Sequence, residues 1–308
     1  MTDAAAPDRP QSTRAAILLP FAIVTLIWGS TWLVIRDQLA VVPAGWSVTY
    51  RFLVAGTAMT LWALVRRDSW AIGWRGLAFS LAVGFLQFSG NFNLVYQAER
   101  YITSGLVAVV FALLLIPNAL LARIFLGQRM GRQLLIGSGI AMAGVVLLFV
   151  HEIAVDPTGG GTVASGIGFT LAAIAAASSA NVLQATETAR RYAMGPTLAV
   201  AMFAGAALDA TLAYLMNGPP SFDPRPSYLL GTLYLGLFAS ALAFPLYYRV
   251  LRTIGPAKAA YSSVIVPVIA MLLSTIFEGY RWSPLALGGA ALAGCGLVVA
   301  LSARRPNR

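Results

Sequence analysis

Residues 96–150 read YQAERYITSGLVAVVFALLLIPNALLARIFLGQRMGRQLLIGSGIAMAGVVLLFV, and residues 248–302 read YRVLRTIGPAKAAYSSVIVPVIAMLLSTIFEGYRWSPLALGGAALAGCGLVVALS. Laid over one another, the stretches put Tyr96 on Tyr248, Gly127 on Gly279 and Arg129 on Arg281. Gly137 then falls on Gly289 and Gly144 on Gly296. Each stretch is an apolar run with an internal proline (Pro117, Pro267), a short Gly-x-Arg loop and a second, glycine-spaced apolar run. The two prolines stand two residues out of register.

Working outward, apolar runs of this kind fill the chain: 16–35, 46–65, 74–96, 103–125, 133–150, 166–186, 197–216, 228–251, 257–277 and 284–302. About 20 such residues cross a hydrocarbon core about 30 Å thick. The runs are continuous rather than alternating, and a helix satisfies each backbone N–H within its own segment, as lipid requires. Lys and Arg in the short loops set orientation, being retained on the cytoplasmic side. With the N-terminus inside, the inner segments hold 16 of them and the outer loops only Arg36, Arg100, Arg225 and Arg281. An extra or missing span would move every later loop to the other side. The expectation is an all-α polytopic membrane protein with ten transmembrane helices and both termini cytoplasmic, in the inner (plasma) membrane.

The repeat then takes a definite form. Five spans per half is odd, so the second half enters from the opposite side: the loop of Arg129 is inside and that of Arg281 outside. Secondary transporters use inverted repeats of this kind to alternate access around a midplane site. The chain divides into a tail (1–15), a first five-helix repeat (16–150), a linker (151–165) carrying Asp156-Pro157 and Gly159-Gly160-Gly161, a second repeat (166–302) and a second tail (303–308).

Composition excludes other classes. Apolar types make up 58% of the 308 residues and charged types 10%, against about 25% charged in soluble proteins. The net charge of +10 lies in short clusters between apolar runs, which orient membrane helices rather than bind nucleic acid. The single cysteine, Cys295, cannot form an intramolecular disulfide and reads as a small buried packing residue.

Several segments resemble a known family. Trp28-Gly29-Ser30-Thr31-Trp32 resembles its "WGS" signature in the first span, and Arg51-Phe52 its "RF" in the second. Ala98 with Tyr101, Thr103 and Ser104 is similar to its "AL..ts" lead into the fourth span, and Pro267 before Gly279 to its "P…LGE" run. Gln128 and Tyr280 stand where that family has Glu. The resemblance is to the drug/metabolite transporter superfamily, EamA type, and covers nearly the whole chain. It implies a 5+5 helical fold, a central cavity and export of small metabolites, amino acids among them; an aromatic amino-acid exporter is one structurally known relative.

Polar residues inside the spans are the candidates for a site. A charge at mid-span costs about 2.5–3.5 kcal/mol on insertion scales, and Arg51 and Asp209 are the two such residues. Arg51 reads either as a carboxylate binder that organises the cavity or as an anchor snorkelling to the outer headgroups. Asp209 reads as a proton site, a partner of Arg51 or an acceptor near the interface. In the third span Gln87 and Asn91, four apart, share a face, while Asn93 points elsewhere. Asn181 stands among alanines and serines in the sixth span. Trp28, Tyr96, Tyr234, Tyr261 and Ser262 complete the expected lining of the substrate cavity, with Trp32 on the stripe of Trp28. Trp46, Trp70, Trp74, Tyr101 and Trp282 read as interfacial belt. Pro117, Pro245 and Pro267 interrupt their helices as hinges, because proline removes a backbone donor.

The sequence has no paired acidic clusters, no Walker motif and one histidine, His151. No catalytic residue, metal or cofactor is therefore expected. The partners expected are a small-molecule substrate and the lipid bilayer, with no nucleic acid and no obligatory protein partner. The reading is a secondary transporter that exports small organic metabolites, with aromatic or hydrophobic amino acids favoured. A polytopic enzyme acting on lipid, or a permease for another metabolite or drug, is the alternative.

Overall fold

The computed structural model describes residues 11–128, 131–155, 161–260 and 262–301. Arg129, Asp156-Pro157, Gly159-Gly160, Tyr261, residues 1–10 and residues 302–308 lie outside them, whereas residues 11–15, expected in the first tail, belong to the first helix. Among the described residues the chain is helical and contains no strand. The long helices are α1 (Gln11–Gln38), α2 (Ala44–Val65), α3 (Gly73–Ala98), α4 (Ser104–Leu126), α5 (Arg132–Val155), α6 (Gly161–Gln184), α7 (Met194–Asn217), α8 (Pro226–Ile254), α9 (Ser262–Phe277) and α10 (Pro284–Leu301). Single helical turns, Glu187–Arg191 and Pro256–Ala259, stand before α7 and α9. Seven of the helices (α1 to α4 and α6 to α8) are long and apolar enough to cross a membrane, and shorter apolar stretches lie in α5, α9 and α10.

The connection between α5 and α6 is tighter than expected. Helix runs on to Val155 and resumes at Gly161. Other ends follow from local chemistry. Pro226 opens α8, where the first N–H has no helical partner anyway. Gly127 and Gly279 follow α4 and α9 with φ of 66° and 70°, a conformation that glycine adopts without a Cβ clash.

Three interruptions shape the interior. Both α3 and α8 contain a π-helical stretch, Gly84–Asn91 and Tyr234–Leu242, and such stretches are frequent at functional sites. In α4 a 3₁₀ turn covers Ala112–Leu114. It includes Leu113, the carbonyl that Pro117 leaves without an i+4 donor. Pro245 lies just beyond the π stretch of α8, in its final α-helical segment.

Packing relies on small residues, which let membrane helices approach closely. A Cβ on Gly45 of α2 would stand 2.9 Å from Ala213 of α7, and one on Gly195 of α7 would stand 2.9 Å from Ala63 of α2. A Cβ on Gly84 of α3 would reach the Ala201 carbonyl of α7 at 2.5 Å, and one on Gly236 of α8 the Arg51 carbonyl of α2 at 3.1 Å. In the α5–α10 pair, Gly144 meets Ala293 and Gly289, and Gly296 meets Ala141 and Gly137. Neighbours pair in the same way: α1 packs on α8 and α9, and α6 on α3 and α4.

Polarity is sorted inside out relative to a water-soluble protein. Leu26, Val65, Phe85, Phe125, Leu230 and Val268 are exposed, whereas Arg51, Asp209, Gln38 and Asn118 are buried. Trp70, Trp74, Tyr101 and Trp282 are exposed as expected. Trp46 is not: it is buried beside Tyr50, Ala213 and Tyr228, because Gly45 draws α7 close to this turn of α2. Cys295 is exposed rather than buried, since the α5–α10 seam is made by Gly296 and Ala293 on another face of the helix.

Candidate functional site

A cavity lies between α1, α2, α3, α4, α6, α8 and α9. Its volume is about 110 Å³; a water needs about 10–15 Å³ of such space, so the cavity has room for several waters or a small solute.

Its wall is aromatic. Trp28 stands with its ring centroid 5.3 Å from that of Phe244 and 5.0 Å from that of Tyr247. Phe92 continues the surface towards Phe244, and Trp32 meets Phe111 edge-on at 5.8 Å. The π stretch of α8 fixes Trp28, whose Nε1–H donates to the Ala239 carbonyl at 3.1 Å.

Arg51 supplies the charge. It is 1% exposed and lines the cavity. Its Nε donates to Ser240 Oγ at 3.0 Å, and Ser240 Oγ donates in turn to the Leu235 carbonyl, five residues back in the π stretch. The guanidinium lies 4.1 Å from the centroid of Phe92. Its Nη1 is buried with no hydrogen-bond partner. The snorkelling reading of Arg51 is therefore overturned: the side chain turns inward and is braced from α8.

Gln87 and Asn91 of the α3 π stretch and Asn181 of α6 also line the cavity. Asn91 keeps a buried Oδ1 without a partner. Asn181 donates to Asn118 Oδ1 at 3.4 Å and to the Tyr247 hydroxyl at 3.5 Å, and Asn118 donates to the Pro256 carbonyl. This network runs from the cavity residues Asn181 and Tyr247 to Asn118 and the turn before α9. Towards the Gln38 end of α1, the Tyr96 hydroxyl donates to Gln38 Oε1 at 2.9 Å, and Gln38 Nε2 to Thr232 Oγ1 at 2.8 Å.

The structure thus brings together Trp28, Arg51, Gln87, Asn91, Asn181 and Pro267. Other expected lining residues stand elsewhere. Tyr96 is fully buried in the Gln38 network, next to the lining residue Val95 but not itself in the wall. Tyr234 lies in the α1–α8 seam, hydrogen-bonded to Ser30 and the Ile27 carbonyl. Ser262 begins α9, with its side chain outside the described residues, as is Tyr261. Asp209 does not meet Arg51. Its Oδ1 accepts from Asn93 Nδ2 at 2.6 Å, on the side of α3 away from Asn91.

Phe92, Phe111, Phe244 and Tyr247 were missed in the sequence. Phe111 and Phe244 stand in apolar runs, Phe92 between two asparagines and Tyr247 beside Tyr248, and nothing local separates these rings from ones that face lipid or a helix seam. Asn118 had a signal, a buried amide beside Pro117.

The family model described as the EamA-like transporter family matches residues 15–150 and again residues 165–302. Among curated proteins, the chain is 29% identical over 274 residues to the inner membrane transporter YedA of Escherichia coli, covering 85% of this chain and 84% of YedA. It is 25% identical to protein PagO of Salmonella typhimurium, over 88% of each chain. It is 27% identical to a probable terminal-alkyne amino-acid exporter of Streptantibioticus cattleyicolor, over 93% of each chain. One solved crystal structure shares the fold with a TM-score of 0.68 at 20% identity, covering 93% of this chain and 97% of the other. A model that fits the chain twice and nearly end to end, on a helical protein with seven apolar helices long enough to span, leaves one conclusion: the chain belongs to the EamA-like transporter family.

Proposed function

We propose that this protein is a secondary transporter that exports small amphiphilic metabolites, amino acids with apolar or aromatic side chains foremost. The observation that carries the reading is the unpaired Nη1 of Arg51 in an otherwise aromatic cavity. A guanidinium is the natural receptor for a carboxylate. Asn91, Gln87 and Asn181 offer acceptors to an ammonium group. The rings of Trp28, Trp32, Phe92 and Phe244 suit an apolar side chain, in keeping with ligand sites that are mostly apolar with a few placed polar groups. Similarity to a probable amino-acid exporter over 93% of the chain points the same way.

Transport in this reading is alternating access between two inverted five-helix units, 16–150 and 166–302, joined by the 151–165 linker. The twofold match of the family model supports the division. So do mirrored approaches: Gly45 meets Ala213 as Gly195 meets Ala63, Gly84 meets Ala201 as Gly236 meets Arg51, and Gly144 meets Ala293 as Gly296 meets Ala141. In this reading α5, α9 and α10 span as well, giving ten. The 24 residues of α5 and 18 of α10 rise about 36 and 27 Å at 1.5 Å per residue. The charge bias of the loops places both termini in the cytoplasm, and similarity to an inner membrane transporter supports that membrane. The π stretches and Pro117, Pro245 and Pro267 are the places where helices flex around the cavity.

The test is counterflow in proteoliposomes loaded with unlabelled amino acid and presented with trace labelled amino acid. L-phenylalanine and L-tryptophan are expected to accumulate transiently, and 2-phenylethylamine, which lacks the carboxylate, far less. Equal counterflow of 2-phenylethylamine and L-phenylalanine discards the carboxylate anchor. Absence of counterflow across the whole amino-acid panel discards the substrate class.

A further inference from the structure

Glu99 ends α3 at the Gln38 end of the molecule, where the sequence places an exposed loop acid. The structure buries it completely, at 0% exposure, and neither carboxylate oxygen has a hydrogen-bond partner. Arg36 of α1 reaches the segment, yet its Nη1 donates to the Glu99 backbone carbonyl and not to the carboxylate.

The charged groups that face Glu99 are Arg36 from α1, Arg51 from α2 and Glu278 from the end of α9. Tyr96, on its own helix, faces it as well. Glu278 is fully engaged. Its Oε1 accepts from Ser104 Oγ at 2.6 Å, and its Oε2 accepts from the Ser104 N–H at 3.2 Å and Ser274 Oγ at 2.7 Å. Both oxygens of one carboxylate of the pair thus accept hydrogen bonds, while neither oxygen of the other does.

We propose that Glu99 is a proton-binding site linked to the loading of the cavity through Arg51, so that a carboxylate substrate and a proton on Glu99 bind together. The inference rests on the carboxylate-anchor reading of Arg51. Burial pushes the Glu99 carboxyl well above the ordinary carboxylate range and Glu278 pushes it further, while Arg36 and Arg51 oppose both. Arg51 is the member of this set that also faces the cavity. A substrate carboxylate on its Nη1 neutralises that cation, withdraws its support from ionised Glu99 and favours the protonated form. A proton already on Glu99 leaves the whole field of Arg51 to the substrate. The effect is reciprocal, as any coupling between two binding equilibria must be. It is absent for a ligand without a carboxylate.

The experiment uses full-length protein in detergent, with the fluorescence of Trp28 and Trp32 reporting titrations of L-phenylalanine and of 2-phenylethylamine between pH 5.5 and 7.5. The wild-type Kd for L-phenylalanine is expected to weaken roughly tenfold across this range, inside the 5–150-fold span typical of coupled sites. That for 2-phenylethylamine should not move. Glu99→Gln, which mimics the protonated form, should hold the tighter Kd at every pH. A pH-independent wild-type Kd, or a Glu99→Gln protein that keeps the slope, overturns the linkage.

A second measurement needs no ligand. A carboxyl with raised folded-state proton affinity stabilises the protein below its unfolded pKa and loses that contribution as pH rises through the folded value. Wild-type Tm should therefore fall relative to Glu99→Gln from pH 5 to 8. Parallel Tm profiles overturn the proton site itself, whereas failure of L-phenylalanine to bind at any pH, with diverging profiles, overturns only the substrate reading.

Discussion

At the scale of single residues, Arg51 combines a full charge, near-complete burial and one unused donor, and each of these costs free energy unless a ligand answers it. Hydrogen bonds to charged groups contribute about 1.5–3 kcal/mol, so Arg51→Gln is expected to weaken L-phenylalanine binding by roughly 10- to 150-fold. Arg51→Lys should recover only part of this. A lysine keeps the charge but not the fork that holds Ser240 with Nε while offering Nη1 to the cavity. Kd values from fluorescence titration check both, and equal affinity for wild type and Arg51→Gln would remove Arg51 from the site. Asp209 gives the contrast. It is a buried intramembrane acid that meets Asn93 on the far side of α3. Interhelical hydrogen bonds in membranes average about 0.6 kcal/mol, so Asp209→Asn should leave counterflow within about threefold of wild type; a larger loss would tie Asp209 to transport.

At the scale of helices, the two π stretches do different work from Gly84 and Gly236, two of the glycines that they contain. The π stretch of α8 turns the Ala239 carbonyl to Trp28 and Ser240 to Arg51; that of α3 presents Gln87 and Asn91 to the cavity. Gly84 and Gly236 let these helices touch α7 and α2. Gly84 faces the Ala201 carbonyl at 2.5 Å, and Gly236 faces Val54 Cβ at 2.7 Å, an atom that no rotamer moves. Gly84→Ala and Gly236→Ala should therefore each destabilise by about 1–3 kcal/mol, the usual range for overpacking. Thermal melts in detergent check this, and an unchanged Tm in either variant contradicts it.

At the scale of the whole molecule, orientation and symmetry are tested by labelling and by matched mutations. In a Cys295→Ser background, Ser227→Cys at the start of α8 should react with an impermeant maleimide in intact cells, and Ser69→Cys beyond α2 only after permeabilisation; the reverse pattern would invert the topology. Gly144→Val and Gly296→Val push against mirrored positions of the α5–α10 seam, so both should lower Tm by a similar amount, as overpacking of about 1–3 kcal/mol implies. A loss confined to one of them would break the twofold relation. Much of this level was legible in the sequence. Lipid demands long apolar helices, and that demand acts on residues along the chain, so run length and composition carried the class of protein, an all-helical polytopic membrane protein. Part of the site was legible for the same reason, since Arg51, Gln87, Asn91 and Asn181 are conspicuous where only apolar residues belong. Tertiary structure alone decided the rest. Which rings face a ligand and which face lipid depends on helix rotation: Phe244 and Tyr247 went to the cavity, Tyr96 to a buried hydrogen bond and Trp46 to a helix seam. Glu99 stands in sequence among ordinary loop residues, and only the packing of α1, α2 and the end of α9 around it took its carboxylate out of water and set it beside the cation that faces the cavity.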